Sequence, residues 1–166
     1  MRVLGIDPSL NSTGFGIIEY TRNQYSLVTC GEIKPQRKLP FPQKILAIKS
    51  GLEELILKYR PQEVAIENLF HAHNVKTAII LGQVRGAALV AVAGSPCRLY
   101  EYSALEIKKA VTGYGQADKQ QVQQMVSILL HLQDNMPGTD ASDALAAAIC
   151  HLNASIFKQK ITSAEE

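Results

Sequence analysis

A chain of 166 residues, 46% hydrophobic and only 19% charged, has the size of one domain and enough apolar side chains for a single substantial core. Its three cysteines (Cys30, Cys97 and Cys150) are odd in number and lack C-x-x-C or Cys/His ligand spacing, which argues against a disulfide framework and a structural zinc site and points to a reducing, cytoplasmic setting. The apolar run 2–6 is too short for a signal peptide, and the longest apolar segment, 78–93, is interrupted by Gln83 and Arg85 and falls short of a bilayer span, so a soluble chain with no membrane partner is expected.

Val3-Leu4-Gly5-Ile6-Asp7 is a short apolar run closed by a carboxylate and the turn Pro8-Ser9-Leu10-Asn11-Ser12. Extended runs at 15–19 and 25–33 follow, so three strands in hairpin succession are expected. Within 42–59, Ile45, Ile48, Leu52, Leu55, Ile56 and Tyr59 recur at helical spacing and predict an amphipathic helix over one sheet face. Glu63-Val64-Ala65-Ile66-Glu67 reads as a fourth strand, followed by a helix at 75–93 and a strand at 97–102, a βαβ alternation. Ser103-x-x-Glu106 forms a capping box for a short helix ending near Gly113, and Asp118-x-x-Gln121 does the same for a helix with Val122, Met125, Val126 and Leu129 on one side. Gly113-Tyr114-Gly115 between them reads as a mobile connection. A last helix is expected from 140 to about 157, which makes 1–157 one domain and leaves 158–166 as a polar, disordered tail.

That last helix opens T-D-A-S-D-A-L-A-A-A-I, and Asp140 and Asp143, three apart, look out from one face. Acids in a first turn favour the positive end of the helix dipole, so alone they mark only a helix start. Asp7 and Glu67, however, each close a buried-looking strand at its carboxyl end, the edge where open α/β sheets bind ligands; either one alone also fits a solvated strand end. Four clustered carboxylates repel one another and need cationic compensation unless some protonate, and an all-oxygen set suits Mg²⁺ or Mn²⁺ rather than zinc. Setting aside these four and the tail pair Glu165 and Glu166 leaves 9 of the 15 acids against 17 Lys and Arg, a balance of +8 that suits nucleic acid.

The order of elements, with acids ending strands one and four and opening the last helix, resembles the ribonuclease H-like nuclease fold, an α/β mixed five-stranded sheet flanked by helices. More specific stretches are the opening G-I-D-P-S, Val64-Ala65-Ile66-Glu67-Asn68-Leu69-Phe70, Leu81-Gly82-Gln83-Val84-Arg85-Gly86-Ala87, Gln116-Ala117-Asp118-Lys119-Gln120-Gln121-Val122 and Asp140-Ala141-Ser142-Asp143-Ala144-Leu145-Ala146. Together they resemble the RuvC family of Holliday-junction resolvases, the crossover junction endodeoxyribonucleases, over roughly residues 1–155. The resemblance puts the family's four metal-binding carboxylates on Asp7, Glu67, Asp140 and Asp143. Ser9 stands where the family often has Gly, and the family varies between Asp and His at the position of Asp140.

The resemblance implies an endonuclease that resolves four-way DNA junctions in homologous recombination and repair by paired, symmetric, metal-dependent hydrolysis, leaving 5′-phosphate and 3′-hydroxyl ends. It implies two Mg²⁺ ions per site, with Mn²⁺ as a substitute, and Asp7 as the candidate bridge. Lys108 and Lys119 match basic positions near the scissile phosphate, although each also suits a solvated helix face. Lys76 and Lys109 are DNA-backbone contacts or plain surface, and Arg85, inside an apolar helix, is structural. Phe70 matches an aromatic that stacks into the opened junction, with a hydrophobic staple as its other use, and Tyr114 is a weaker candidate of the same kind. His71 and His73 fit a polar loop, and His151 lies about 16 Å along the helix from Asp140, too far to join a metal site. A homodimer is implied, with the apolar face of helix 75–93 as either its interface or ordinary core, and so is partnership with branch-migration helicase proteins. Of the rival readings, the same-fold family that trims ribosomal RNA precursors lacks a good counterpart to 116–122. An actin-like ATPase needs two such domains, and a non-catalytic junction binder would be expected to have lost an acid.

Overall fold

The computed structural model describes residues 1–68, 74–132 and 137–162. In β1 (Arg2–Asp7) the pleat divides the side chains between two cores: Leu4 and Ile6 enter one, Val3 the other, and Gly5 and Asp7 face the same way as Val3. β2 (Thr13–Thr21) and β3 (Gln24–Ile33) continue as antiparallel hairpins, the second turning through Arg22 and Asn23 at φ 51° and 63°. The chain then forms α1 (Phe41–Tyr59), β4 (Glu63–Asn68), α2 (Val75–Ala93), β5 (Arg98–Ser103), α3 (Ala104–Thr112), α4 (Lys119–Leu129) and α5 (Thr139–Thr162). Strand order is β3-β2-β1-β4-β5, with β4 parallel to both β1 and β5, giving the expected mixed five-stranded sheet.

Helices α1 and α2 cover one face, where Ile48, Leu52, Val84, Ala88 and Val92 pack on Leu4, Ile17, Val64 and Ile66. Helices α3, α4 and α5 cover the other, where Ile107, Val122, Val126, Leu145 and Ile149 pack on Val3, Ile18 and Ala65. Both capping boxes form: the Ser103 backbone amide donates to Glu106 Oε2 at 2.7 Å, and the Asp118 amide to Gln121 Oε1 at 2.9 Å, each returned by the cap side chain. Helix α5 lies directly on the sheet because glycines let it. A Cβ on Gly5 would sit 1.8 Å from the Ala144 carbonyl oxygen, and one on Gly14 would sit 2.0 Å from that of Asp140.

Two expectations need correction. Helix α5 runs five residues beyond Phe157, to Thr162, so 158–162 are helical and not a disordered tail; Lys158, Gln159 and Lys160 are good helix formers and nothing there stops the helix. Residues 163–166 lie outside the described residues. Helix α2, starting at Val75, has 19 residues and a mean hydropathy of 1.5, long and apolar enough by length and composition alone to cross a membrane. In the fold its Val84, Ala88, Ala91 and Val92 are core, while Arg85 pairs with Glu101 of β5 at 2.7 Å, the structural role read for it from the sequence.

Candidate active site

Pleat parity and register together gather the strand-end acids. The ladder from Val3–Glu63 to Ile6–Ile66 sets Asp7 beside Glu67 at its next step, both on the side that faces α5. Because α5 rests on Gly5 and Gly14, its first two turns carry Asp140 and Asp143 over the same sheet edge. The electrostatic result falls on Asp7. Burial first, then the charges of Asp143, Glu67 and Asp140, push its carboxyl from 3.8 up to about 7, with Lys119 pulling the other way. Glu67 is raised too, by burial and then Asp143, against the pull of Lys108 and Lys119.

Lys119, in the first turn of α4, puts its ammonium 2.7 Å from Asp143 Oδ2. Burial opposes its charge, but the hydrogen bond and charge of Asp143 outweigh this and hold its pKa above the usual value. Beside the pair is a cleft of about 210 Å³ whose lining includes Glu67, Lys108, Lys119 and Asp143 over Ile107 and Val122. A larger hollow of about 760 Å³ lies at the opposite sheet edge between the ends of α1 and α2. Among the described residues that line it Glu53 is the one acid, so it offers no comparable cluster.

Six of the residues singled out in the sequence therefore come together: Asp7, Glu67, Asp140, Asp143, Lys108 and Lys119. Lys109 is exposed on α3 outside the cleft lining, Tyr114 is 61% exposed just after Gly113, and Lys76 is exposed in the first turn of α2. Phe70, His71 and His73 lie outside the described residues. Ser9 needs no glycine-like conformation, since it is absent from the positive-φ residues; Thr13 closes its turn, its Oγ1 donating to the Ser9 carbonyl at 2.6 Å. Sequence reasoning missed Glu32, which accepts from Ser12 Oγ at 3.1 Å and pairs with Lys34, whose ammonium also feels the charge of Asp140. Their spacing of two on a strand was visible, but not that β3 ends near α5.

Among the described residues no three Asp, Glu, His or Cys side chains stand ready to hold a metal ion. The fit lies in the chemistry of the donor set: burial first, and then the repulsion of neighbouring hard carboxylate oxygens, lift the Asp7 carboxyl to about 7, an imbalance that a divalent cation would relieve. Between pH 3.8 and about 7 the native state holds the Asp7 proton that the unfolded chain has released. Stability from this group is therefore full below about pH 4 and is lost as pH rises to about 7. In chelator, the melting temperature is expected to fall more between pH 5 and 8 in the wild type than in Asp7→Asn, as calorimetric scans at each pH would show.

A mixed sheet in the order 3-2-1-4-5, with acids at the carboxyl ends of β1 and β4 and at the start of α5, defines an α/β protein of the ribonuclease H-like nuclease class. Comparison with known proteins narrows the class. The family model for crossover junction endodeoxyribonuclease RuvC matches residues 3–151. The RuvC of Caldanaerobacter subterraneus subsp. tengcongensis is 44% identical over 161 residues, covering 97% of this chain and 98% of that protein, and the RuvC of Geotalea uraniireducens is 48% identical over 159 residues, covering 95% and 91%. The solved structure of T. thermophilus RuvC in complex with Holliday junction substrate superposes with a TM-score of 0.87 at 29% identity, covering 93% of this chain and 94% of that one. The chain belongs to the RuvC family of crossover junction endodeoxyribonucleases.

Proposed function

We propose that this protein resolves four-way DNA junctions by paired, symmetric hydrolysis of two phosphodiesters, leaving ligatable 5′-phosphate and 3′-hydroxyl ends, in recombination and repair. One observation carries the reading: four carboxylates from β1, β4 and α5 converge on one sheet edge, where burial and then their charges lift Asp7 to about 7, with two lysines lining the adjoining cleft. Asp7, Glu67, Asp140 and Asp143 would hold two Mg²⁺ ions, or Mn²⁺ in their place, and when bound these would supply water activation and charge stabilisation at the departing 3′ oxygen. Lys108 and Lys119 place positive charge where the phosphate enters and offset the charge that develops on it. Asp7, on the inner strand β1, is the proposed bridge of the site. Lys76, Lys109 and Tyr114, outside the cleft, are proposed DNA contacts, as is Phe70, and the lysine contacts to phosphate make binding fall steeply with salt.

Two matched nicks on a two-fold junction call for a two-fold dimer. Helix α2 supports this: Val75, Ile79 and Val90 are 76%, 57% and 58% exposed along one face, and the Gly82 and Gly86 positions between them meet no atom within 4 Å. A self-complementary apolar stripe of this kind is proposed as the dimer seam. The double variant Ile79→Glu/Val90→Glu is then expected to sediment as a monomer and to nick the two strands without coupling. A cytoplasmic setting, a single domain and cooperation with branch-migration helicase proteins complete the proposal.

The test is nicking of a mobile synthetic four-way junction in Mg²⁺, alongside duplex DNA and a structured RNA. Symmetric, ligatable nicks on the junction alone are the expected outcome. Tight binding without cleavage in either Mg²⁺ or Mn²⁺, or cleavage only of the RNA, would overturn the reading.

A further inference from the structure

The face that α5 lays on the sheet sets Ala144 and Ala148 over Gly5 and the Asp140 backbone over Gly14, with Leu145 seated against Gly16. The alanine-on-glycine part of this contact does little to choose between helix positions one turn, about 5.4 Å, apart, which leaves the axial setting to the larger side chains Leu145 and Ile149 and to the polar contacts further down. At its upper end the helix carries two members of an acid cluster whose repulsion works against keeping it in place.

His151, two turns further down, is 1% exposed and fully engaged. Its Nε2 is 2.5 Å from Oε2 of Glu63, itself 4% exposed at the start of β4, and its Nδ1 is 2.7 Å from the hydroxyl of Tyr102 on β5. The Tyr100 ring lies against the imidazole with centroids 4.3 Å apart, the Tyr100 hydroxyl donates to Glu63 Oε1 at 3.4 Å, and Arg98 closes on that oxygen at 3.1 Å. Burial, then Cys150 and Tyr100, push the Tyr102 hydroxyl up to about 12, so it keeps its proton. With the Glu63 carboxylate on Nε2 and the Tyr102 hydroxyl on Nδ1, both ring nitrogens of the imidazole are engaged.

Spacing gives this chain its consequence. Glu63 and Glu67 lie on the same face of β4 four residues apart, about 13 Å. His151 and Asp143 lie eight residues apart on α5, about 12 Å. The helix rise matches the strand rise, so His151 can meet Glu63 while Asp143 meets Glu67 in one axial position only, and a slip of one turn breaks both. Asn153, bonded to Tyr25 and to the Ala110 carbonyl at 3.0 Å, fastens the same helix to β3 and α3 but does not reach β4.

We propose that the Glu63–His151–Tyr102 chain is the register pin of α5, a set of positioning residues that holds Asp140 and Asp143 over Asp7 and Glu67. The proposal rests on the metal-site reading above. Buried polar chains are often replaceable by apolar residues without loss of stability, and a well-attested use of such groups is to fix register. The triple variant Glu63→Met/Tyr102→Phe/His151→Met therefore separates pinning from stability, and the single variant Tyr102→Phe breaks the chain with the least disturbance.

For wild type and both variants, Mn²⁺ binding to the DNA-free protein is read by electron paramagnetic resonance, melting by calorimetry, and amide exchange across 140–146 by mass spectrometry. The triple variant is expected to melt within a few degrees of wild type yet bind Mn²⁺ about tenfold or more weakly, with faster exchange in the first turns of α5; Tyr102→Phe is expected to be several-fold weaker. Wild-type Mn²⁺ affinity and exchange in both variants would overturn the pin. If the triple variant does not fold, Tyr102→Phe decides alone. If the wild-type protein itself binds no Mn²⁺, the metal reading fails separately, and unchanged exchange in Tyr102→Phe would still overturn the pin.

Discussion

Asp7→Asn is expected to lower junction nicking by about 10³-fold or more while leaving junction binding within a few-fold of wild type, and to make the metal-free protein more stable. The first effect follows from losing the charge at a largely buried member of the acid cluster while the amide keeps its shape. The second has the opposite sign to what an ordinary core substitution would give. At pH 8 the wild-type carboxyl must ionise against burial and three neighbouring acids, and a displacement from 3.8 to about 7 corresponds to an upper bound of roughly 4 kcal/mol that the neutral amide avoids. Nicking assays, gel shifts in chelator and calorimetry at pH 8 measure the three quantities. Retained cleavage, or a variant less stable than wild type in chelator, would contradict this account of the site.

Gly5→Ala is expected to cost about 3 kcal/mol or more, a fall of roughly 6–12 °C in melting temperature for a domain of this size. The new methyl group would stand 1.8 Å from the Ala144 carbonyl oxygen and 3.0 Å from the Ala148 amide nitrogen, both helix backbone that cannot rotate away. Helix α5 would have to rise off β1, and Ala144 is the residue directly after Asp143, so the same displacement separates the acids from Glu67 and lowers cleavage. Denaturant unfolding and nicking of the refolded variant measure both. A melting temperature within 2 °C of wild type would mean that α5 does not press on the sheet as described.

The elements were largely legible because each carried its own local signal. Short apolar runs closed by a carboxylate marked β1 and β4, the 3.6-residue period marked α1, and the capping boxes at Ser103 and Asp118 marked α3 and α4. Where a local stop was absent, the boundary drifted, as at the end of α5. His151 shows the other kind of gap. Distance along one helix correctly kept it from the acid cluster, but its partners Glu63 and Tyr102 are 88 and 49 residues away, and no spacing rule connects them.

What the amino-acid order determined by itself was therefore the chemistry and its addresses: a carboxylate at the end of each of two apolar strands, two more in the first turn of an alanine-rich helix, and lysines on the helices before it. What only the tertiary structure decided was their convergence. Parallel pairing of β1 with β4 places Asp7 next to Glu67, and the bare backbones of Gly5 and Gly14 let α5 sit low enough to bring Asp140 and Asp143 over them. The physical reason is that repulsion among like charges opposes this cluster at every step. It can be assembled only where strand register, close helix contact and burial elsewhere in the chain outweigh it.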